Sequence, residues 1–268
     1  MRRFLAFGFA VGLLAAAVHA AEDPLQRAVE GPDRNPRSIA RDSVRHPTEV
    51  LTFVGIRPDS SVVEIWPGSG YWAEILAPYL YAKGIYHLAL GDANGTNAEK
   101  ANAQLPQSLQ DKMTANPASF GHVQFTQLSA EHNNISPPNS ADLVLTFRNL
   151  HNWMNDGDTA VVLAAVHRAL KAGGIFGVED HRARPDRPQD PKAEDGYVRQ
   201  DYAIDEIEHA GFKLVDSSEI EANPRDTTHW PKGVWTLPPT YRLGALDRDK
   251  YQRVGEADNF LLKFRKVE

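Results

Sequence analysis

The chain has 268 residues, 42% of them apolar and 24% charged, with a formal net charge of −6 and no cysteine. A net-acidic surface without a basic stripe excludes nucleic acid as an expected main partner, because phosphate binding needs such a stripe. The missing cysteines exclude disulfides and thiolate metal sites, and the length suffices to bury one core without them.

Met1-Arg2-Arg3 is a basic start, followed by an uncharged apolar run from Phe4 to Val18 and by Val18-His19-Ala20, a small-residue cleavage pattern. The run is shorter than the roughly 20 residues of a bilayer span. Residues 1–20 are therefore expected to be a signal peptide that sends the protein to the periplasm or outside the cell, with an uncleaved anchor as the lesser reading and no stable membrane insertion after cleavage. Without them the formal charge becomes −8, since they hold two arginines and no acid.

Residues 21–46 form a polar N-terminal extension with Pro24, Pro32 and Pro36, expected as a surface wrap. The remaining residues, 47–268, read as one domain. Pro47 to Val54 predicts a short helix with proline in its first turn. Val62 to Ile65 predicts a strand, and Trp72, Ile75, Leu76 and Leu80 recur at helical spacing after it. Strands are predicted at 85–90, 123–128, 143–147, 175–178, 213–220 and 260–267. Helices fall at 98–113 with a break at Pro106, at 158–170, and at 204–210. Lys171-Ala172-Gly173-Gly174 is a helix stop signal. Alternating strands and helices with a final antiparallel pair predict an α/β fold: a Rossmann-like, doubly wound, seven-stranded, mostly parallel sheet whose last strand is antiparallel. Between the last two strands lies an insertion, residues 221–258, with Trp230, Trp235 and Pro238-Pro239. Its stiff, aromatic composition predicts a lid or acceptor wall over the sheet edge, or a dimer contact.

The most informative stretch is Val62-Val63-Glu64-Ile65-Trp66-Pro67-Gly68-Ser69-Gly70. A buried strand runs into a glycine turn that opens a helix, which is a nucleotide-binding edge in doubly wound folds. Gly68-x-Gly70-x-x-Ala73 also fits a dinucleotide fingerprint, with Asp92 at the distance of a ribose-binding acid. Glu64 is a carboxylate near the end of a buried strand and needs a partner, such as a ligand's cationic amine or backbone N–H groups.

Over most of residues 47–220 the chain resembles the class I S-adenosylmethionine-dependent methyltransferases, nearest to the exported predicted methyltransferases of bacteria. Val62 to Gly70 is similar to their first motif, Leu128-Ser129-Ala130-Glu131 to their acid-alanine pair, and Ala141 to Leu145 to their fourth-strand motif. Leu170 to Gly174 is similar to the turn before their fifth strand. The resemblance implies S-adenosylmethionine as cofactor, with its methionine end at Glu64, Pro67, Gly68 and Gly70. It implies the ribose at Asp92 or its neighbours and the adenine at Ser129-Ala130, where Ser129 stands in place of the usual aspartate.

Phe147 to Trp153 follows strand four and Glu179-Asp180-His181-Arg182 follows strand five, so both segments project from the ligand-binding edge. His151, Asp180 and His181 are the candidate catalytic residues, able to take a proton from an acceptor hydroxyl or amine. Asn149 is a candidate on the cofactor side, or a residue that satisfies backbone at the strand end. Arg148 is expected to pair with Asp42 or Glu179. Arg45 and His46 read either as a solvated turn or as a closure over the cofactor. The ligand types of His151, Asp180 and His181 suit a metal, but no tight spacing supports one and none is expected.

The leading reading is an exported methyltransferase acting on a small-molecule substrate. Export away from the cytoplasmic cofactor pool motivates a second, a non-catalytic binding protein on the same scaffold. A third is an NAD-dependent oxidoreductase, resting only on the fingerprint.

Overall fold

A computed structural model describes residues 23–268 except residue 33, so the expected signal peptide lies outside the described residues. Eight strands follow in chain order: β1 (Ser61–Ile65), β2 (Ile85–Leu90), β3 (Val123–Gln127), β4 (Ala141–Phe147), β5 (Leu170–His181), β6 (Phe212–Ser218), β7 (Pro231–Val234) and β8 (Asn259–Lys266). Among the described residues, seven of them form one sheet in the order β3-β2-β1-β4-β5-β8-β6. Strands β1 to β5 pair in parallel, and β8 inserts between β5 and β6, antiparallel to both. This is the doubly wound sheet with an antiparallel last strand that the alternation of elements predicts.

The central strand shows why both faces are covered. Every residue of β1 is buried. Side chains alternate across a strand, so Val63 and Ile65 join one apolar core with Trp153, Phe176 and Phe260. Val62 joins the other, with Leu51, Ile75, Leu76 and Leu145. By the same alternation Glu64 falls on the face of Val62. From β1 the sheet runs to β2 on one side and β4 on the other. The order therefore reverses there and leaves a crevice at the carboxyl ends of these strands.

Two elements differ from the sequence reading. The glycine-containing segment 171–174 falls inside the span of β5, which starts at Leu170, as an irregular stretch between the Leu170 and Ile175 pairings, with Gly173 at φ +72°. A register shift between Ala141 and Leu143 on β4 absorbs the irregularity. The N-terminal segment is folded rather than wrapped on the surface. Asp23 caps the helix Pro24–Val29 by accepting from the Leu25 amide at 3.0 Å. Leu25, Ala28 and Val29, spaced i, i+3, i+4, put one helical face into the core behind β1. Short helices Pro36–Ile39 and Asp42–Arg45 follow. The buried Arg34 donates to Asp42 at 2.6 and 2.8 Å and to the Val29 carbonyl at 2.7 Å, and Tyr71 donates to Asp42 at 2.6 Å. Prolines and charges dominate the local composition and hide this single apolar face.

The insertion 221–258 carries β7 and the helix Arg248–Val254 and has its own small core of Tyr197, Val234, Leu237, Tyr251 and Ala257. Tyr197 donates to Asp226 at 3.0 Å, which pins the start of the insertion to the loop after β5.

If the N-terminal segment is integral, Leu25→Ala should lower the free energy of unfolding by about 2–4 kcal/mol, as other large-to-small core changes do. Urea denaturation midpoints measure this, and a loss under about 0.5 kcal/mol, the scale of surface changes, would place the segment outside the folded unit.

Candidate active site

At the carboxyl ends of β1, β4 and β5 a cavity of about 330 Å³ opens, lined among others by Glu64, Gly68, Asn149, His151, His181 and Trp235. Its volume falls in the range of small-molecule sites.

The glycine turn forms the floor. The Gly70 amide donates to the Pro67 carbonyl at 2.9 Å, and the Glu74 amide to the Gly70 carbonyl at 3.0 Å, so the turn feeds directly into the helix Ala73–Leu80. Gly68 has φ +55°, and a Cβ there would meet nothing within 4 Å. Its main chain is open to whatever fills the cavity, in a conformation that glycine adopts without strain. Gly70 serves packing instead: a Cβ at Gly70 would lie 2.1 Å from Leu109.

Glu64 is buried beside this floor, and Tyr86 from the neighbouring strand β2 donates to its Oε2. Burial pushes its pKa up to about 8, and the Tyr86 hydroxyl offsets this only in part. A buried acid in this state gains from a cation that takes over the role of the proton. The amino group of an amino-acid tail supplies one, so Glu64 and the open main chain at Gly68 fit the methionine end of S-adenosylmethionine.

The positions expected to hold the nucleoside are arranged differently. Asp92, Ser129 and Ala130 do not line this cavity. Asp92 accepts from the Asn94 amide at 2.8 Å and meets His132 at 3.3 Å. The Ser129 hydroxyl accepts from the His132 amide at 2.9 Å, and the Ala130 amide donates to Glu99 at 3.2 Å. Trp66, which has φ +48°, sends its indole back to donate to the Leu128 carbonyl at 3.1 Å and packs edge-on against Trp153. The indole therefore lies between the turn and the end of β3. Glu99, which the sequence reading passed over, closes a capping box with Thr96, and Gly91 and Gly95 make room for it. The spacing Thr96-x-x-Glu99 was the available signal.

The catalytic candidates do come together. His151, in the helix Leu150–Asp156, shares its Nδ1 with Asp180 Oδ1 at 2.8 Å and donates its amide to Oδ2 at 2.9 Å. The His181 amide donates to the same carboxylate at 2.7 Å. Burial alone would raise the Asp180 pKa, but the adjoining His151 and these hydrogen bonds hold it below the ordinary carboxylate range. His181 donates from Nδ1 to Asn259 Oδ1 at 2.8 Å, its ring 5.3 Å from that of His151. Burial, with some help from His151 and Arg148, lowers its pKa to about 3, so it stays neutral at physiological pH. Ligand-type atoms of the three residues lie within 4.8 Å of one another. Both Asp180 oxygens are already committed to protein donors, which favours a hydrogen-bonded dyad over metal ligation.

Asn149 faces the cavity while its amide donates to the Ile65 carbonyl and to Thr146 Oγ1, each at 3.1 Å. It thus ties β4 to the end of β1. Arg148, held at φ +63°, pairs with Glu179 at 3.5 Å and Glu256 at 3.3 Å, while Asp42 serves Arg34. Arg45 is buried on the cavity wall, and His46 lies outside the cavity. The insertion contributes Trp235, Pro238, Pro239 and Glu256 to the same wall.

Residues 63–178 match the family model described as a methyltransferase domain. The structure is similar to a SAM-dependent methyltransferase from Aquifex aeolicus, at 15% identity and TM-score 0.55, over 92% of this chain and 100% of that one. It is also similar to the [4+2]-cyclase SpnF, at 16% identity and TM-score 0.53, over 91% of this chain and 92% of the other. A search of curated proteins gave no match. Residues 63–178 therefore carry the pattern of a methyltransferase domain, on a fold shared with S-adenosylmethionine-dependent methyltransferases. Such a domain implies methyl transfer with S-adenosylmethionine as cosubstrate.

The folded-state pKa of Glu64, about 8, lies above its ordinary 4.5. Its contribution to stability is therefore complete below about pH 4.5 and is lost as pH rises through 8. Glu64→Gln cannot ionise and should show a flatter profile, gaining roughly 5 kcal/mol on the wild type across that window. Unfolding of the ligand-free proteins at a series of pH values checks this, and parallel profiles would refute it.

Proposed function

We propose that the protein is an exported enzyme that methylates a hydroxyl or amine of a small molecule, with His151 receiving the acceptor's proton. The carrying observation is that His151, hydrogen-bonded to the buried Asp180, lines the same cavity as Glu64 and Gly68. Export rests on the basic, then apolar, then small-residue pattern of residues 1–20.

When bound, S-adenosylmethionine supplies a methyl group already activated on a sulfonium sulfur. Glu64 would hold the ammonium of its amino-acid tail, and the main chain at Pro67 and Gly68 would lie against that tail. The nucleoside end is assigned to the Asp92 and Ser129-Ala130 side, beyond Trp66. Asp180 fixes His151 with Nδ1–H turned toward the carboxylate, which leaves the Nε2 lone pair for the acceptor. The acceptor oxygen or nitrogen gives its proton to Nε2 as its lone pair closes on the methyl carbon, and Asp180 stabilises the imidazolium. His181, neutral beside it, adds no competing positive charge. In-line positioning supplies most of the rate in such a transfer, with proton removal adding to it.

Glu64→Ala should abolish transfer through lost S-adenosylhomocysteine binding. His151→Ala should lower kcat about 10²–10⁴-fold while S-adenosylhomocysteine affinity, read by calorimetry, stays near the wild-type value. Equal loss of turnover and affinity in His151→Ala would remove it from the proton-transfer role.

A further inference from the structure

Two residues that line the cavity hold buried donors with no hydrogen-bond acceptor among the described residues: Arg45, at Nε and Nη2, and Trp72, at the indole Nε1. Arg45 is buried, with its guanidinium 4.7 Å from the centroid of the Tyr71 ring. Its nearest acid is Glu256 at 3.8 Å, beyond hydrogen-bond reach. That carboxylate already takes Arg41 through Nε and Nη2 at 2.6 Å each, and Arg148 at 3.3 Å. Three guanidiniums thus converge on one glutamate, and the most buried of them is left without a hydrogen bond. A buried cation in this state is costly until an anion reaches it.

Beside polar residues such as Glu64, Asn149 and Asn152, part of the wall is aromatic and flat. Trp72 stacks on Phe147 at 4.2 Å with 21° between the planes, and Trp235, Pro238 and Pro239 close in from the insertion. The edge of Trp235 comes within 6.1 Å of the His151 ring, centroid to centroid. A ligand suited to this cavity carries an anionic oxygen for Arg45, a planar apolar body for the aromatic wall, and a protonated group for His151.

We propose that Arg45 and Trp72 form a carboxylate subsite and that the acceptor is a phenolic acid, methylated on its hydroxyl. The inference rests on the methyl-transfer reading above. The phenol O–H bond breaks toward His151 Nε2, the new O–CH₃ bond forms from the phenolate lone pair, and the electron pair of the broken S–CH₃ bond stays on sulfur. Arg45 carries out no chemistry; it selects acceptors by charge and sets where the hydroxyl lies.

The test is calorimetry on the whole protein saturated with S-adenosylhomocysteine, using para-hydroxybenzoate, its neutral analogue para-hydroxybenzamide and the cationic tyramine as probes. The acid should bind roughly tenfold tighter than the amide, the scale of a hydrogen bond to a charged group, with tyramine weakest. Arg45→Met should erase that preference and leave S-adenosylhomocysteine affinity within about twofold, while Arg45→Lys should keep part of it. Equal binding of the three probes, or no binding of any, overturns the proposal. So does an Arg45→Met variant that loses S-adenosylhomocysteine affinity instead, because Arg45 would then hold the carboxylate of the cosubstrate's tail. Failure of the wild type to bind S-adenosylhomocysteine would defeat the methyl-transfer reading itself, whereas intact binding without charge preference defeats only the carboxylate subsite.

Discussion

A carboxylate removed from water must find a proton, a cation or several donors, and this requirement organises the ends of the central strands. Glu64 on β1, and Glu179 and Asp180 on β5, are all buried, and each meets the requirement differently. Glu64 keeps a proton, its pKa pushed to about 8 by burial. Asp180 stays charged because an imidazole and two backbone amides surround it. Glu179 is raised by burial but drawn back by Arg148, and its neighbour Glu221 is pushed up further by burial and by Glu179 itself. The carboxyl edge of the sheet thus presents a neutral acid on β1 ready for a cation and an ionised acid on β5 that aligns a base.

The segments at the two ends of the sequence complete the site that the sheet begins. The helix Asp42–Arg45 brings Arg45, the preceding residue Arg41 reaches Glu256 across 215 positions of sequence, and the loop before β8 provides Glu256. Arg34, Asp42 and Tyr71 lock the N-terminal segment to the first residues after the glycine turn. The same contacts that stabilise this segment therefore fix the guanidiniums over the cavity.

Much of the fold was legible because parallel strands buried on both faces leave continuous apolar runs, as in Val62-Val63 and Leu143-Val144-Leu145. The helix over residues 24–29 was not, since one turn offers too few apolar positions to show a period against Pro24 and the surrounding charges. The start of β5 differs because Leu170 pairs with Ala141 ahead of the turn-like Gly173-Gly174, and regular pairing with β4 resumes only at Ile175. At the site, His151, Asp180 and His181 could be grouped in advance because neighbouring strands must end side by side. Tyr86 as the partner of Glu64 could not, because strand register decides which residue of β2 faces it.

The sequence by itself determined the kind of site: a glycine turn after a strand ending near an acid, and imidazoles following strands four and five. Those features are local, fixed by backbone preference and by the period of burial. Only the tertiary structure decided which buried donors lack a hydrogen bond. Pairing depends on distances between segments far apart in the chain, and these set Glu256 against Arg41 and Arg148 while leaving Arg45 without a hydrogen bond. The placement of Trp66 is of the same kind. Its identity is plain in the sequence, but only packing against Trp153 and the Leu128 carbonyl turned its indole between the glycine turn and β3.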